Sequence, residues 1–211
     1  MALLLPVKVG SLTNLSDARY CAAMGVTMLG FTLEAESPEF VPAAAFGEMA
    51  GWLAGVQLWG EGVTATAETL AAWRAAYALD GLQVESSPDW AGLAAAGLPL
   101  LCRVDWDQIQ DATRFRARYE SVAPHVRGFV LESQHTELSP DRRTELGRLA
   151  VDFPLLLGFG LHPESVRDVV AELPVWGLAL RGSAEIRPGY KDYGELADVL
   201  EKLETEDDPG F

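Results

Sequence analysis

Carboxylates at the ends of strand-length apolar runs are the first chemistry this chain offers. Glu34, Glu85, Asp105 and Glu132 each close such a run, and Arg103 and Arg181 stand at comparable places. Acids gathered around one mouth raise one another's pKa, recruit a cation or an amine, or move protons as a general acid and base. The structural alternative is that they are loop acids, solvated or paired with Lys8, Arg103 and Arg181. Lys8 has the strand parity of Gly10, so both face the same side. A lysine buried there needs an acidic partner or gives up its proton, and in the second case it could form a Schiff base. Gly10 occupies a strand end where a reacting side chain is expected, and it brings none.

Other reactive residue types carry less signal. His125, His135 and His162 lie beside prolines or in a loop, and no pair has metal-ligand spacing, so no metal site is expected. Cys21 and Cys102 read as buried thiols, since two cysteines in 211 residues make no disulfide scaffold. Trp52, Trp73 and Trp90 fall on helical faces and are expected in the core, whereas Trp59 and Trp106, near strand ends, either stack on a ligand or pack. A net charge of −15 excludes a phosphate-neutralising groove for nucleic acid and disfavours an anionic membrane surface. The opening residues lack a basic leader and no apolar run nears the ~20 residues of a membrane span, so a cytoplasmic protein is expected.

These residues need elements to position them. Eight near-continuous apolar runs recur, at 3–9, 27–34, 54–59, 80–85, 98–105, 126–132, 153–159 and 175–181. Runs of that kind suit parallel strands covered on both faces. Amphipathic segments lie between them, several opening with Ser, Thr or Asp beside Pro or Glu, as helix starts do. Eight strand-helix units at a period of about 25 residues predict a single-domain α/β fold, a (β/α)₈ barrel over residues 1–203, with 204–211 as an acidic disordered tail. The doubly wound open sheet lacks a G-x-G-x-x-G after the first strand. In a barrel, the site is built from the strands' carboxyl ends. On these boundaries they are Lys8 and Gly10, Glu34, Gln57 and Trp59, Gln83 and Glu85, Arg103 and Asp105, Glu132, Gly158 to Gly160, and Arg181 to Ser183.

Three stretches resemble the phosphoribosylanthranilate isomerases of tryptophan biosynthesis. The segment from Val7 to Val41 is similar to that family's K-x-C-G-I/L-T opening, D-A helix, G-A-D-x-x-G-F strand and S-P-R-x-V turn. "LLLGFGLHPESV", residues 155–166, resembles L-x-G-G-L-x-P-E-N-V, and "GLALRGSAEIRPGYKD", residues 177–192, resembles G-V-D-x-S-S-G-V-E-x-x-P-G-x-K-D. The resemblance implies an aminoaldose-to-aminoketose isomerase that needs a general base and a general acid and no cofactor. Its base is the cysteine of K-x-C-G, here Gly10, and its acid is a strand 6 aspartate, here Glu132. The S-P-R arginine is Glu39, a charge reversal; the first glycine of G-G is Phe159, with Gly160 kept; the strand 8 Ser-Ser-Gly is Arg181-Gly182-Ser183. The strand 8 aspartate, a natural partner for Lys8, is Ala179, which leaves Glu132 or Asp105 to serve.

The expectation is therefore an isomerase-like barrel whose family reaction is weak or lost, or a non-catalytic small-molecule-binding or regulatory barrel. Glu132 is the candidate acid, and Lys8, Glu39, Glu85, Arg103, Gly160, Arg181, Gly182 and Ser183 are the candidate ligand contacts. The expected partner is a small molecule, phosphorylated or not, bound to a monomer or homodimer.

Overall fold

The computed structural model describes residues 2–135, 137–181 and 194–205, with the backbone alone at 185–187 and 190–191. Eight parallel strands close into a barrel in sequence order: β1 (Val7–Gly10), β2 (Met28–Thr32), β3 (Gln57–Thr64), β4 (Gly81–Ser86), β5 (Leu100–Asp105), β6 (Gly128–Glu132), β7 (Leu155–Leu157) and β8 (Gly177–Arg181). Closure is the β1/β8 pairing, running from Val7 opposite Leu178 to Gly10 opposite Arg181. Helices α1 (Leu15–Ala23), α2 (Ala43–Ala50), α3 (Ala67–Ala76), α4 (Trp90–Ala95), α5 (Trp106–Ile109), α6 (Ala112–Tyr119), α7 (Pro140–Asp152), α8 (Val166–Glu172) and α9 (Gly194–Lys202) connect the strands and follow the last one. This is the (β/α)₈ barrel that the eight apolar runs predict.

Strand periodicity divides the core into two compartments. On β5, Leu100, Cys102 and Val104 face the helices, whereas Leu101 enters the barrel interior with Met28, Trp59, Val130 and Leu156. The outer layer holds an aromatic cluster in which the Phe115 ring lies 5.1 Å from Phe129 and 5.2 Å from Phe153. Both cysteines are buried, and burial pushes each thiol up to about 12, so neither is a nucleophile near neutral pH. Helix starts follow the sequence signals: Asn14, Thr66, Asp89, Asp111 and Ser139 each accept a backbone N–H from the first turn.

Several boundaries differ from the sequence reading. The third strand begins at Gln57 and runs to Thr64, so Gln57 and Trp59 lie at its start, and its carboxyl half is Gly60 to Thr64. Gly60 and Gly62 look like breaks but are packing positions: a Cβ at Gly60 would meet Leu33 at 2.5 Å, and one at Gly62 would meet Trp73 at 2.8 Å. Trp59 therefore seals the barrel interior, where its ring lies against Gly81, and it is not placed to stack on a ligand. Trp106 is likewise buried, 6.4 Å from Phe115. Trp52, expected in the core, is 71% exposed just beyond the α2 end. The segment between β5 and β6 holds two helices, α5 and α6, because Gln110 turns left-handed (φ 67°) and Asp111 caps a new start. Glu204 and Thr205, assigned to the tail, are tied to the chain's beginning by a bridge to Leu3 and by the Thr205 amide donating to the Ala2 carbonyl at 2.9 Å. Residues 206–211 lie outside the described residues.

Because Trp59 is a fully buried indole of the barrel interior, Trp59→Ala is expected to lower the unfolding free energy by about 3–5 kcal/mol in urea denaturation.

Candidate functional site

The barrel mouth has two dissimilar halves. On the β1 to β3 side it is filled by an ion pair. Lys8, 2% exposed, donates from Nζ to Oε1 of Glu61, which is 6% exposed on β3. The second Glu61 oxygen accepts the Ser11 amide at 2.9 Å. The sequence reading gave Lys8 a partner in Glu132 or Asp105; the structure corrects this, because both of those carboxylates are engaged elsewhere and Glu61 comes in across β2. Burial pushes the Glu61 carboxyl up, but Lys8, the Ser11 N–H and the more distant Arg181 outweigh it and hold it below the usual carboxylate range.

Two glycines make room for this pair. A Cβ on Gly10 would lie 2.7 Å from Glu61 Oε1 and 3.4 Å from Lys8 Nζ, and a Cβ on Gly30 would strike the same two groups harder. Ser11, where K-x-C-G has its glycine, keeps a left-handed backbone at φ 57° and so presents its amide to Glu61. Beside them Gln83 is buried opposite Glu61 in the β3/β4 register, and its Oε1 accepts no hydrogen bond among the described residues.

Among the described residues, the β5 to β8 side is open. A cavity of about 530 Å³ lies there, bordered among the described residues by Arg103 and Glu132 at the strand ends, Arg181 on β8, and Phe159 and Gly160 after β7. Arg103 bridges two carboxylates, donating from Nε to Glu132 at 2.7 Å and from Nη1 to Glu85. Burial lowers the guanidinium's pKa, and Glu132 and Glu85 more than offset this, so the proton is held more firmly than usual. Arg181 approaches the other Glu132 oxygen through Nε at 3.6 Å. Glu132 thus accepts from Arg103 on one side and faces the Arg181 charge on the other.

The remaining candidates separate from this cluster. Lys8 and Gly10 belong to the filled half. Glu39 sits in the turn after β2 and does not border the cavity. Glu34 accepts the Val63 amide at 2.8 Å, and Asp105 caps α5 by accepting the Asp107 amide at 3.0 Å, so the strand-end acids are spent on backbone and arginine. Among the described residues, no three His, Cys, Asp or Glu side chains are grouped to hold a metal ion. Phe159 is buried beside the cavity, and Gly160 keeps φ 66° where a Cβ would meet Leu138 at 2.5 Å. Gly182 and Ser183 lie outside the described residues.

Sequence reasoning missed two functional positions. Glu61 was hidden by the misplaced end of β3. Asp107 carries no signal in the sequence, yet it grips the loop after β6, accepting the Ser133 hydroxyl at 2.6 Å and the Gln134 amide at 2.8 Å. Those bonds, the Gln134 amide first, hold the Asp107 carboxyl below its ordinary value.

The ion pair sets an acid limit on stability. Glu61 has a folded pKa below its unfolded value of about 4.3, so its contribution is complete above that value and is lost as the pH falls through the folded pKa. Glu61→Gln is expected to cost about 3–5 kcal/mol at pH 7, by leaving Lys8 buried without a counter-charge, and to flatten the acid limb in denaturation series run from pH 7 downward.

No protein-family model matches the chain. Similar proteins are nonetheless found over nearly its whole length. It is 27% identical over 216 residues to the N-(5'-phosphoribosyl)anthranilate isomerase of Synechococcus sp. (strain JA-3-3Ab), covering 95% of this chain and 91% of that one. With the same enzyme of Thermosynechococcus vestitus it is 28% identical over 205 residues, covering 93% and 89%. Among solved structures, phosphoribosyl anthranilate isomerase from Thermotoga maritima superposes with a TM-score of 0.76 at 18% identity, covering 94% of this chain and 98% of that one. The Thermus thermophilus enzyme does so at 0.73 and 22%, with coverage of 94% and 98%. Motifs, full-length similarity and barrel agree: the chain is a divergent relative of the phosphoribosylanthranilate isomerases.

Proposed function

We propose that this protein is an isomerase-like barrel in which the family's aminoaldose-to-aminoketose reaction is weak or lost, and whose open half-mouth is kept as a small-molecule site. The observation that carries this is the Glu61 carboxylate lying 2.7 Å from where a Cβ on Gly10 would be. A base at Gly10 would need the space that the ion pair fills. Both Glu61 oxygens are already engaged, one by Lys8 and one by the Ser11 amide, so Glu61 is itself badly placed to take a carbon-bound proton.

The acid side supports the same reading. Glu132 accepts from Arg103 and faces Arg181, which makes it an acceptor; donating a proton to a ring oxygen requires a ligand that first displaces a guanidinium. Glu39 stands where the family's carboxylate-binding arginine is expected and repels the anion that arginine attracts. Phe159 replaces a glycine of the phosphate turn, where a close approach to backbone amides is needed. The candidate ligand contacts that border the cavity are Arg103, Gly160 and Arg181. No helix among the described residues is long and apolar enough to cross a membrane.

Expression in a tryptophan auxotroph lacking the isomerase is expected not to restore growth; growth at the rate given by an intact isomerase gene contradicts the reading. The triple substitution Gly10→Cys, Glu39→Arg, Phe159→Gly is expected to stay inactive, because the new thiol meets Glu61. Adding Glu61→Ala and Ala179→Asp, which clear the space and give Lys8 a carboxylate on β8, is expected to bring turnover above the triple variant in an assay following the anthranilate product-substrate fluorescence change.

A further inference from the structure

The open cavity is not simply the family's phosphate turn with one residue changed. Its wall carries Phe159, Leu161, Leu196 and Val199, four apolar side chains contributed by the loop after β7 and by α9. A phosphate dianion gains nothing from such a wall and is desolvated against it. The charged border points the same way. Among the described residues, four carboxylates, Asp105, Asp107, Glu132 and Glu195, stand against the two guanidiniums of Arg103 and Arg181. Among the described residues that border is too poor in cations to neutralise a ligand with two or more negative charges.

The two arginines are not equivalent. Arg103 has its Nε on Glu132 and an Nη on Glu85. Arg181 is half exposed, touches Glu132 only through Nε at 3.6 Å, and its two terminal nitrogens have no hydrogen-bond partner among the described residues. An end-on guanidinium fork with both terminal nitrogens available matches a carboxylate in bidentate geometry. Glu132 then serves as the fixed counter-charge on the flank of the same guanidinium, which sets its plane.

The geometry points to a monocarboxylic acid with an apolar body as the ligand of this cavity, its carboxylate on the terminal nitrogens of Arg181 and its body against Phe159, Leu161, Leu196 and Val199. A volume of about 530 Å³ lies within the range of small-molecule sites. The inference rests on the reading of the open half-mouth as a ligand site, and it adds the chemical class of the ligand and the residue that selects it. It also moves carboxylate recognition across the mouth, from the turn after β2, where Glu39 stands, to the end of β8.

Isothermal titration of the full-length protein at low ionic strength tests this with phenylacetate and hexanoate as probes, beside acetate, inorganic phosphate and benzylamine. Phenylacetate and hexanoate are expected to bind in competition with each other. Acetate, which lacks the apolar body, is expected to bind at least roughly tenfold more weakly, and Arg181→Gln to weaken phenylacetate by roughly tenfold or more with the unfolding transition unchanged. Phosphate binding as tightly as phenylacetate, benzylamine binding in its place, an affinity unchanged in Arg181→Gln, or no binding of either carboxylate would overturn the inference. Turnover of the family's substrate at an ordinary enzyme's rate sinks the reading of a lost reaction instead, and is scored separately from these titrations.

Discussion

One buried ion pair shapes the mouth of this barrel. Lys8 and Glu61 are both almost fully removed from water, a state that stabilises the fold only when each charge is met by the other and by further hydrogen bonds. Here the Ser11 amide supplies one of those bonds, and its left-handed backbone is what aims it. The surrounding sequence accommodates the pair: a Cβ at Gly10 or Gly30 would crowd the Glu61 carboxylate and make it shift. The missing side chain at Gly10 and the added carboxylate at Glu61 are thus two aspects of a single packing arrangement. A lysine that would take its counter-charge from β8 takes it from β3, and the space nearest the axis on that side is used up.

The consequence is a mouth divided, among the described residues, into a filled half and an open one. Strands β1 to β3 contribute a closed polar plug that belongs to stability. Strands β5 to β8 contribute a cavity, with Glu132 fixed between Arg103 and Arg181 and an apolar wall beyond them. On the function proposed above, the filled half leaves no room for a base opposite Glu132. On the same proposal the other half serves binding, with the Arg181 fork beside an apolar surface.

Much of the fold was legible in the sequence because a parallel barrel strand writes itself as a covered apolar run, and eight such runs at a regular period leave few other architectures. The strand 6 and strand 5 ends, Glu132 and Arg103, were legible for the same reason, since parity places them inward. Strand 3 was not. Gly60 and Gly62 carry the statistical mark of a turn, yet they are there so that Leu33 and Trp73 can close onto the strand. Ending the strand at Trp59 put Glu61 in a loop and left Lys8 without its true partner. The available signal was the parity of Trp59 and Glu61, two residues apart, together with a buried lysine in need of a carboxylate. Pairing across 53 positions and an intervening strand is what local patterns do not encode.

The central claim is that Glu61 occupies the volume a side chain on Gly10 would need, and a double-mutant cycle between Gly10→Ala and Glu61→Ala measures it directly by chemical denaturation. The account requires Gly10→Ala to cost about 1–3 kcal/mol in the native background and nearly nothing once Glu61 is truncated, giving a coupling of comparable size. Additive effects at the two positions would contradict it, since they would mean that the space beside Gly10 is open.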